Sequence, residues 1–340
     1  MLYSGLDLFK FLFAIIVIAI HTQPFANQPD MEACSFYRML CDAAVPFFFI
    51  CSGFLLGIKL NKGNDLEDSS KHRLATIKSY LRKNVRMYVL WTLIYLPLAI
   101  YGFHLDNLTW LHAVIVYIKN IILLGENYNS WPLWYLLSTI YCTIFLLLFH
   151  KKNLKTILLA GFLFFAFGEF ITYYMHHHEE GVFYLAIAKT IESGRLFKGF
   201  LYIPLGMFLS QSDRRISPYL LTAALVISAT AFSFSNELSG SFILIFFVTA
   251  LFLLVKELRP THPVYFILRK LSTYTYLLHM WVFSIITYLL FGQSTYGGEV
   301  FTYTLIGTLV LSLIVVLWQR KRGDSSPKTH TGSPRKPAHP

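Results

Sequence analysis

Ten stretches of mostly apolar residues recur along this chain, each close to the length of about 20 residues that a helix needs to cross a bilayer. They fall at roughly 6–24, 42–60, 85–103, 132–149, 154–174, 196–210, 218–235, 240–256, 272–291 and 299–318. Short polar connections separate them. Lipid offers no partner for a backbone N–H or C=O, so segments of this kind fold as helices that satisfy their own backbone. The sequence therefore predicts an all-α, polytopic transmembrane helix bundle of about ten spans. Charged residues make up only 14% of the chain, against about 25% in soluble domains. So little charge cannot cover a core this apolar, and lipid must do the covering.

The stretch 110–124 is apolar too, but His112, Lys119 and Asn120 interrupt it. It reads as an interfacial helix rather than a span. That choice fixes the sidedness of everything after it. With the N-terminus inside, only Arg38, Lys119, Lys189, Arg195 and Lys198 of the 29 Lys and Arg fall outside or at the outer boundary. The remaining 24 lie on the inner side, which places both termini in the cytoplasm by the positive-inside rule. The net charge of +11 is thus an orienting charge, and nucleic acid is not an expected partner. Trp131, Trp134 and Tyr135 mark the outer interface. Residues 1–319 form one membrane domain. Residues 320–340, rich in Pro, Ser, Lys and Arg, read as a disordered basic cytoplasmic tail.

Cys51 and Cys142 lie in apolar runs and read as core. Cys34 and Cys41 share a loop and are a possible disulfide if that loop faces an oxidising compartment. No cleavable signal peptide is evident. No internal repeat is visible, which counts against an inverted-repeat transporter.

Ionisable residues inside a span are costly and usually mark function. The first helix carries three: Asp7, Lys10 and His21. At about 100° per residue, Lys10 and His21 lie roughly 20° apart around the helix, and Asp7 lies within about 60° of both. All three share a face. Lys10 sits toward the cytoplasmic mouth, and His21 about 16 Å farther across.

At this point the sequence resembles the acyltransferase family 3 membrane proteins, which O-acylate surface polysaccharides. Leu6-Asp7-x-x-Lys10-x10-His21 looks like their first-helix signature, with Lys10 where the family usually has Arg. Four further segments match in order. Val45 to Leu56 resembles the second helix, and Leu81-Arg82-Lys83-Asn84-Val85-Arg86 the basic lead-in to the third. Trp131 to Leu136 resembles the Trp-rich segment, and Ser272 to His279 the late Ser/Tyr/His helix.

The resemblance implies transfer of an acyl group, acetyl by family default, from cytoplasmic acyl-CoA to a hydroxyl of an envelope glycan or lipid-linked sugar. Catalytic roles would fall to His21, Lys10 and Asp7. His21 would be the base, since neutral imidazole suits proton removal near neutral pH, or the covalent acyl carrier. Lys10 would stabilise a donor phosphate or developing negative charge, without the bidentate fork of Arg. Asp7 would pair with Lys10 one turn away or simply start the helix. Arg82 and Arg86, four residues apart, suit the phosphates of CoA, or serve as ordinary inner anchors. His279, Tyr276 and Arg195 would contact the acceptor. Membrane lipids are the surrounding partner, and no metal is expected.

Other polar groups carry weaker readings. Ser52-Gly53 suits close helix packing. Glu169, one turn before Tyr173, is an intramembrane acid outside the matched motifs. His176-His177-His178-Glu179-Glu180 has metal-ligating residue types, but adjacent histidines do not project to one side of a helix. The competing function is a small-solute transporter or exporter of the same architecture, as in the membrane domain of membrane-bound serine racemases. A solute carrier has no need of a CoA-sized polyanion site. The resemblance places the chain in the cytoplasmic membrane of a bacterium.

Overall fold

The computed structural model describes residues 3–28, 30, 34–62, 69–177, 194–212, 215–258, 261–262, 264–292 and 295–324. Among them are eleven α-helices and no strand. The helices are α1 (Ser4–Thr22), α2 (Ser35–Asn61), α3 (Ser69–Leu105), α4 (Trp110–Leu123), α5 (Leu133–Leu148) and α6 (Leu154–His177). A 3-10 turn, Gly194–Phe197, leads into α7 (Lys198–Leu209). Then follow α8 (Pro218–Ser233), α9 (Glu237–Glu257), α10 (Val264–Phe291) and α11 (Gly298–Asp324). The last helix runs a few residues past 319. The remainder of the basic tail, and Lys189, Glu192, Arg214 and Arg259, lie outside the described residues.

Seven helices are long and apolar enough to cross a membrane: α1, α2, α3, α6, α9, α10 and α11. Each of the other three apolar stretches also carries a helix, but α5 and α8 have 16 residues and α7 has 12. At 1.5 Å per residue these reach about 24 and 18 Å, short of a 30 Å hydrocarbon core.

The last turn of α4 meets the middle of α3, where the Tyr88 hydroxyl donates to the Ile121 carbonyl at 2.7 Å. Gly102, near the end of α3, lies against the side chain of Tyr128, just beyond α4. Tyr101 and Tyr128 also pack ring to ring at 6.2 Å. The chain before and after the 110–124 segment therefore comes together again at Gly102 and Tyr128.

Helix ends meet in a consistent way elsewhere. The Gly5 N–H donates to the Leu258 carbonyl at 3.2 Å, and the Gly297 N–H to the Thr22 carbonyl at 2.9 Å. So α9 finishes where α1 begins, and α11 begins where α1 finishes. Asn61 at the end of α2 donates to the Ser210 carbonyl just past α7, at 3.1 Å. One end of the bundle thus carries Asp7, and the other carries His21.

The core sits on α1 and α2. α1 packs on α10, α2, α9 and α11, and α2 packs most extensively on α7. Glycine makes the α2–α7 contact possible. A Cβ on Gly53 would strike the Ile203 carbonyl, and one on Gly206 the Ile50 carbonyl. Small residues let helix backbones approach closely in lipid, where helices gain little from hydrophobic burial against one another. The perimeter is the reverse, with Val89, Leu93, Ile115, Ile118, Val310 and Ile314 all exposed. Water would not tolerate so much outward apolar surface, whereas acyl chains cover it.

Candidate active site

His21 stands near the last turn of α1 and is half-buried. Two rings flank it. The His279 ring of α10 stacks at 5.3 Å with 21° between planes, and the Trp131 ring lies at 4.9 Å. Stacking forbids an in-plane hydrogen bond between the two imidazoles, so they stand side by side. His279 is fully buried. Its Nδ1 lies 2.8 Å from the Tyr276 carbonyl. A carbonyl only accepts, so Nδ1 carries the proton and Nε2 keeps its lone pair. Nε2 is buried and makes no hydrogen bond among the described residues. An unsatisfied buried acceptor costs about 1–3 kcal/mol, so the fold holds it against a stability cost.

The helix around His279 is held firmly. The Tyr276 hydroxyl donates to the Pro132 carbonyl at 3.1 Å, and the Tyr95 hydroxyl to the Leu277 carbonyl at 2.7 Å. Tyr276 thus joins α10 to the Trp-rich segment, which carries Trp131. Its proton is committed to backbone, and only its oxygen lone pairs remain to meet a ligand.

Arg195, in the 3-10 turn before α7, pairs with Glu126 and lies over the Trp134 ring at 5.7 Å. Glu126 is buried, and its Oε2 makes no hydrogen bond among the described residues. The expected acceptor contact of Arg195 is therefore shared with a carboxylate. Sequence reasoning missed Glu126. Its one signal is a single acid in the polar run Gly125 to Ser130, directly before Trp131.

Asp7 and Lys10 lie toward the far end of α1, about 21 and 16 Å from His21 by helix rise. Lys10 Nζ is 3.2 Å from Asp7 Oδ1, so the one-turn pairing forms. A second cation meets Asp7 as well. Arg269 of α10 donates through Nε and Nη2 to the Asp7 carboxylate, at 3.0 and 2.7 Å to Oδ2. The fork is bidentate, the geometry in which Arg and carboxylate bind best. The shared face of α1 therefore splits into two clusters rather than one site. Arg269 had been counted only as an inner anchoring charge.

Arg82 and Arg86 are exposed, and their face of α3 continues into exposed Val89, Leu90 and Leu93. They sit on the perimeter of the bundle, and no hydrogen bond or ion pair joins them to Asp7 or Lys10 among the described residues. Ser52 Oγ lies 2.7 Å from the Tyr135 hydroxyl. Cys34 and Cys41 are both free thiols, so the possible disulfide is not formed. Of the histidine run, His177 Nδ1 hydrogen-bonds the Tyr173 carbonyl at 2.9 Å within its own helix. His178, Glu179 and Glu180 lie outside the described residues.

Beside the His21 end opens a pocket of about 510 Å³. Ile20 and Gln23 of the α1 terminus form one wall, and Lys198, one turn after Arg195, forms another. Glu169, the intramembrane acid of α6, is at its buried floor, 3.6 Å from Lys198 Nζ and accepting from Ser241 Oγ at 2.7 Å.

The family comparison agrees with the resemblance in the motifs. A model described as an acyltransferase domain, of the acyltransferase 3 type, matches residues 3–319. The chain belongs to the acyltransferase 3 family. Members of this family are described by their acyltransferase domain, and the chain's apolar helices fit a membrane protein. Curated relatives include an amino-acid racemase of Enterococcus faecalis, 30% identical over 151 residues, or 41% of this chain and 19% of the relative. A serine/alanine racemase of Enterococcus gallinarum is 28% identical over 164 residues, 46% of this chain and 21% of the relative. The aligned part thus spans about a fifth of the length of these relatives. No solved structure matches.

Proposed function

We propose that the chain moves an acyl group, acetyl by family default, from cytoplasmic acyl-CoA to a hydroxyl of an envelope glycan or its lipid-linked precursor. The Asp7 end faces the cytoplasm and the His21 end faces outward, in a ten-helix bundle of a bacterial cytoplasmic membrane. The observation that carries the reading is the imidazole pair. His279 Nε2 is buried and keeps a lone pair with no hydrogen bond among the described residues, directly beside the half-buried His21. Two neutral imidazoles held side by side suit removal of a hydroxyl proton.

In the step itself the acceptor O–H gives its proton to an imidazole nitrogen. The oxygen bonds to the thioester carbonyl carbon, the C–S bond breaks, and CoA leaves as thiolate, then takes up a proton. Covalent carriage of the acyl group by His21 divides the same balance into two transfers. Arg195 and the Trp131 ring bound the space beside His21. Arg82 and Arg86 offer exposed positive charge to the phosphates of CoA.

The test uses inside-out vesicles holding the wild type or His21→Ala, supplied with labelled acetyl-CoA. Label in glycan with the wild type and its loss in the variant are expected. Equal labelling by both sinks the role of His21. The relatives are named as racemases of amino acids, which gives the solute-carrier reading one concrete substrate. A wild type that transfers no label but accumulates labelled serine or alanine would favour that reading.

A further inference from the structure

The pocket beside the α1 terminus has a lining unlike that of the imidazole site. Its charged groups are Asp42, Glu169 and Glu237 on one side of the balance, and Arg38 and Lys198 on the other. Carboxylates outnumber cations by one. They are also engaged differently. Glu169 is taken by Lys198 and Ser241. Asp42, one turn beyond Arg38 on α2, is exposed in the pocket; it lies within electrostatic reach of Lys198 and Arg38 but makes no hydrogen bond or close ion pair among the described residues.

Rings line the same space. Tyr37 packs edge-on against Phe25 at 5.1 Å, and Tyr173 and Phe232 also belong to the lining. Thr172 and Ser235 also line it; their hydroxyl protons go to the Gly168 and Phe232 carbonyls, which leaves oxygen lone pairs toward a ligand. A volume of about 510 Å³ lies within the usual range for a small-molecule site. A carboxylate without a hydrogen-bonded partner, among aromatic faces and neutral acceptors, is the set that binds an ammonium group on a hydroxyl-bearing body.

We infer that this pocket is a binding site for a small hydrophilic molecule carrying a primary ammonium, with Asp42 as its counter-charge. An amino sugar and an amino acid both present that chemistry. The inference concerns binding and holds whether or not the bound molecule receives the acyl group. No acyl donor enters its test, so its failure and that of the transfer reading are separable.

The experiment measures equilibrium binding to the full chain in lipid nanodiscs, in slightly acidic buffer. The probes are glucosamine, its neutral N-acetyl form, and serine. Glucosamine is expected to bind about tenfold or more tightly than N-acetylglucosamine, the ratio that one charge-assisted hydrogen bond supplies. Asp42→Asn should abolish that ratio, Asp42→Glu should restore part of it, and His21→Ala should leave it intact. Asp42 makes no hydrogen bond among the described residues, so its variants should keep the wild-type melting profile, which is recorded alongside. Serine binding with the same dependence on Asp42 would assign the ligand to amino acids and keep the ammonium recognition. Equal binding of glucosamine and its N-acetyl form, or ammonium binding indifferent to Asp42→Asn, overturns the proposal. So does a failure of all three probes to bind.

Discussion

α1 carries polar clusters at both ends, and the two are built on opposite plans. At one end the Asp7 carboxylate takes both Lys10 and the fork of Arg269. Every charge there has a partner, and two of the three sit on different helices. Such a cluster fastens α1 to α10. At the other end, His21 touches its neighbours through ring faces, and His279 Nε2 and Glu126 Oε2 are left with no hydrogen bond among the described residues. A fold that satisfies its polar groups fully at one end and leaves them open at the other concentrates reactive capacity at the open end. The helices make this contrast possible by running parallel: α1 and α10 meet at Asp7–Arg269 and again at His21–His279.

The contrast breaks most visibly at His279. Replacing it with Gln keeps a polar group of similar reach but removes the basic nitrogen. Acyl transfer should fall by about 10²-fold or more, within the range that acid–base groups supply, while the melting temperature changes little. Transfer at wild-type rate would mean that the open nitrogen is unused, and that His21 acts without it.

Asp7→Asn probes the closed end. It leaves two cations facing each other without their carboxylate. Loss of one partner in a buried pair costs about 3–5 kcal/mol, and Arg269 is about half exposed, which lowers the figure to about 2–3 kcal/mol. Thermal unfolding in detergent should show the loss directly. Activity per folded molecule should fall far less than in His279→Gln. If the order reverses, the Asp7 cluster belongs to the chemistry, and the division between the two ends fails.

The sequence makes the two ends unequally legible. Periodicity alone puts Asp7, Lys10 and His21 on one face of α1, because helix geometry is local. It says nothing of what each meets across the bundle. Arg269 is 262 residues from Asp7, and its bidentate bond depends on the register between α1 and α10. The ring stack of His21 on His279 depends on that same register. The helical stretches are legible for a simpler reason, since lipid imposes one backbone solution on every apolar run of sufficient length. Glu126 lies in a polar turn that has no period, so only the fold brings it to Arg195. The pocket is the least legible feature, because six separate helices contribute to it and none carries a motif.

Between the two ends, the α2–α7 contact sets how rigidly they are held apart. Gly206→Ala would drive a methyl group into the Ile50 carbonyl and the Phe54 amide, both backbone. Overpacking of this kind costs about 1–3 kcal/mol. A lower melting temperature with little change in donor affinity is the expected outcome. An unchanged melting temperature would show that α2 and α7 are less tightly packed than the structure has them.

The smallest effect belongs to Arg82 and Arg86, and it sharpens the comparison by extending it to the perimeter. Both are exposed on a face that continues into exposed Val89 and Leu93, and neither has a hydrogen bond or ion pair among the described residues. If they attract the CoA phosphates, they do so as screened surface charges, each worth less than about 1 kcal/mol. Arg82→Ala with Arg86→Ala should then raise the KM for acyl-CoA about three- to tenfold at low ionic strength, and the effect should shrink as salt is added. The rate at saturating donor should stay close to that of the wild type, because no step of the transfer passes through these side chains. A large fall in kcat would instead require them to reach inward toward Lys10, and the closed end would then be open whenever donor is bound.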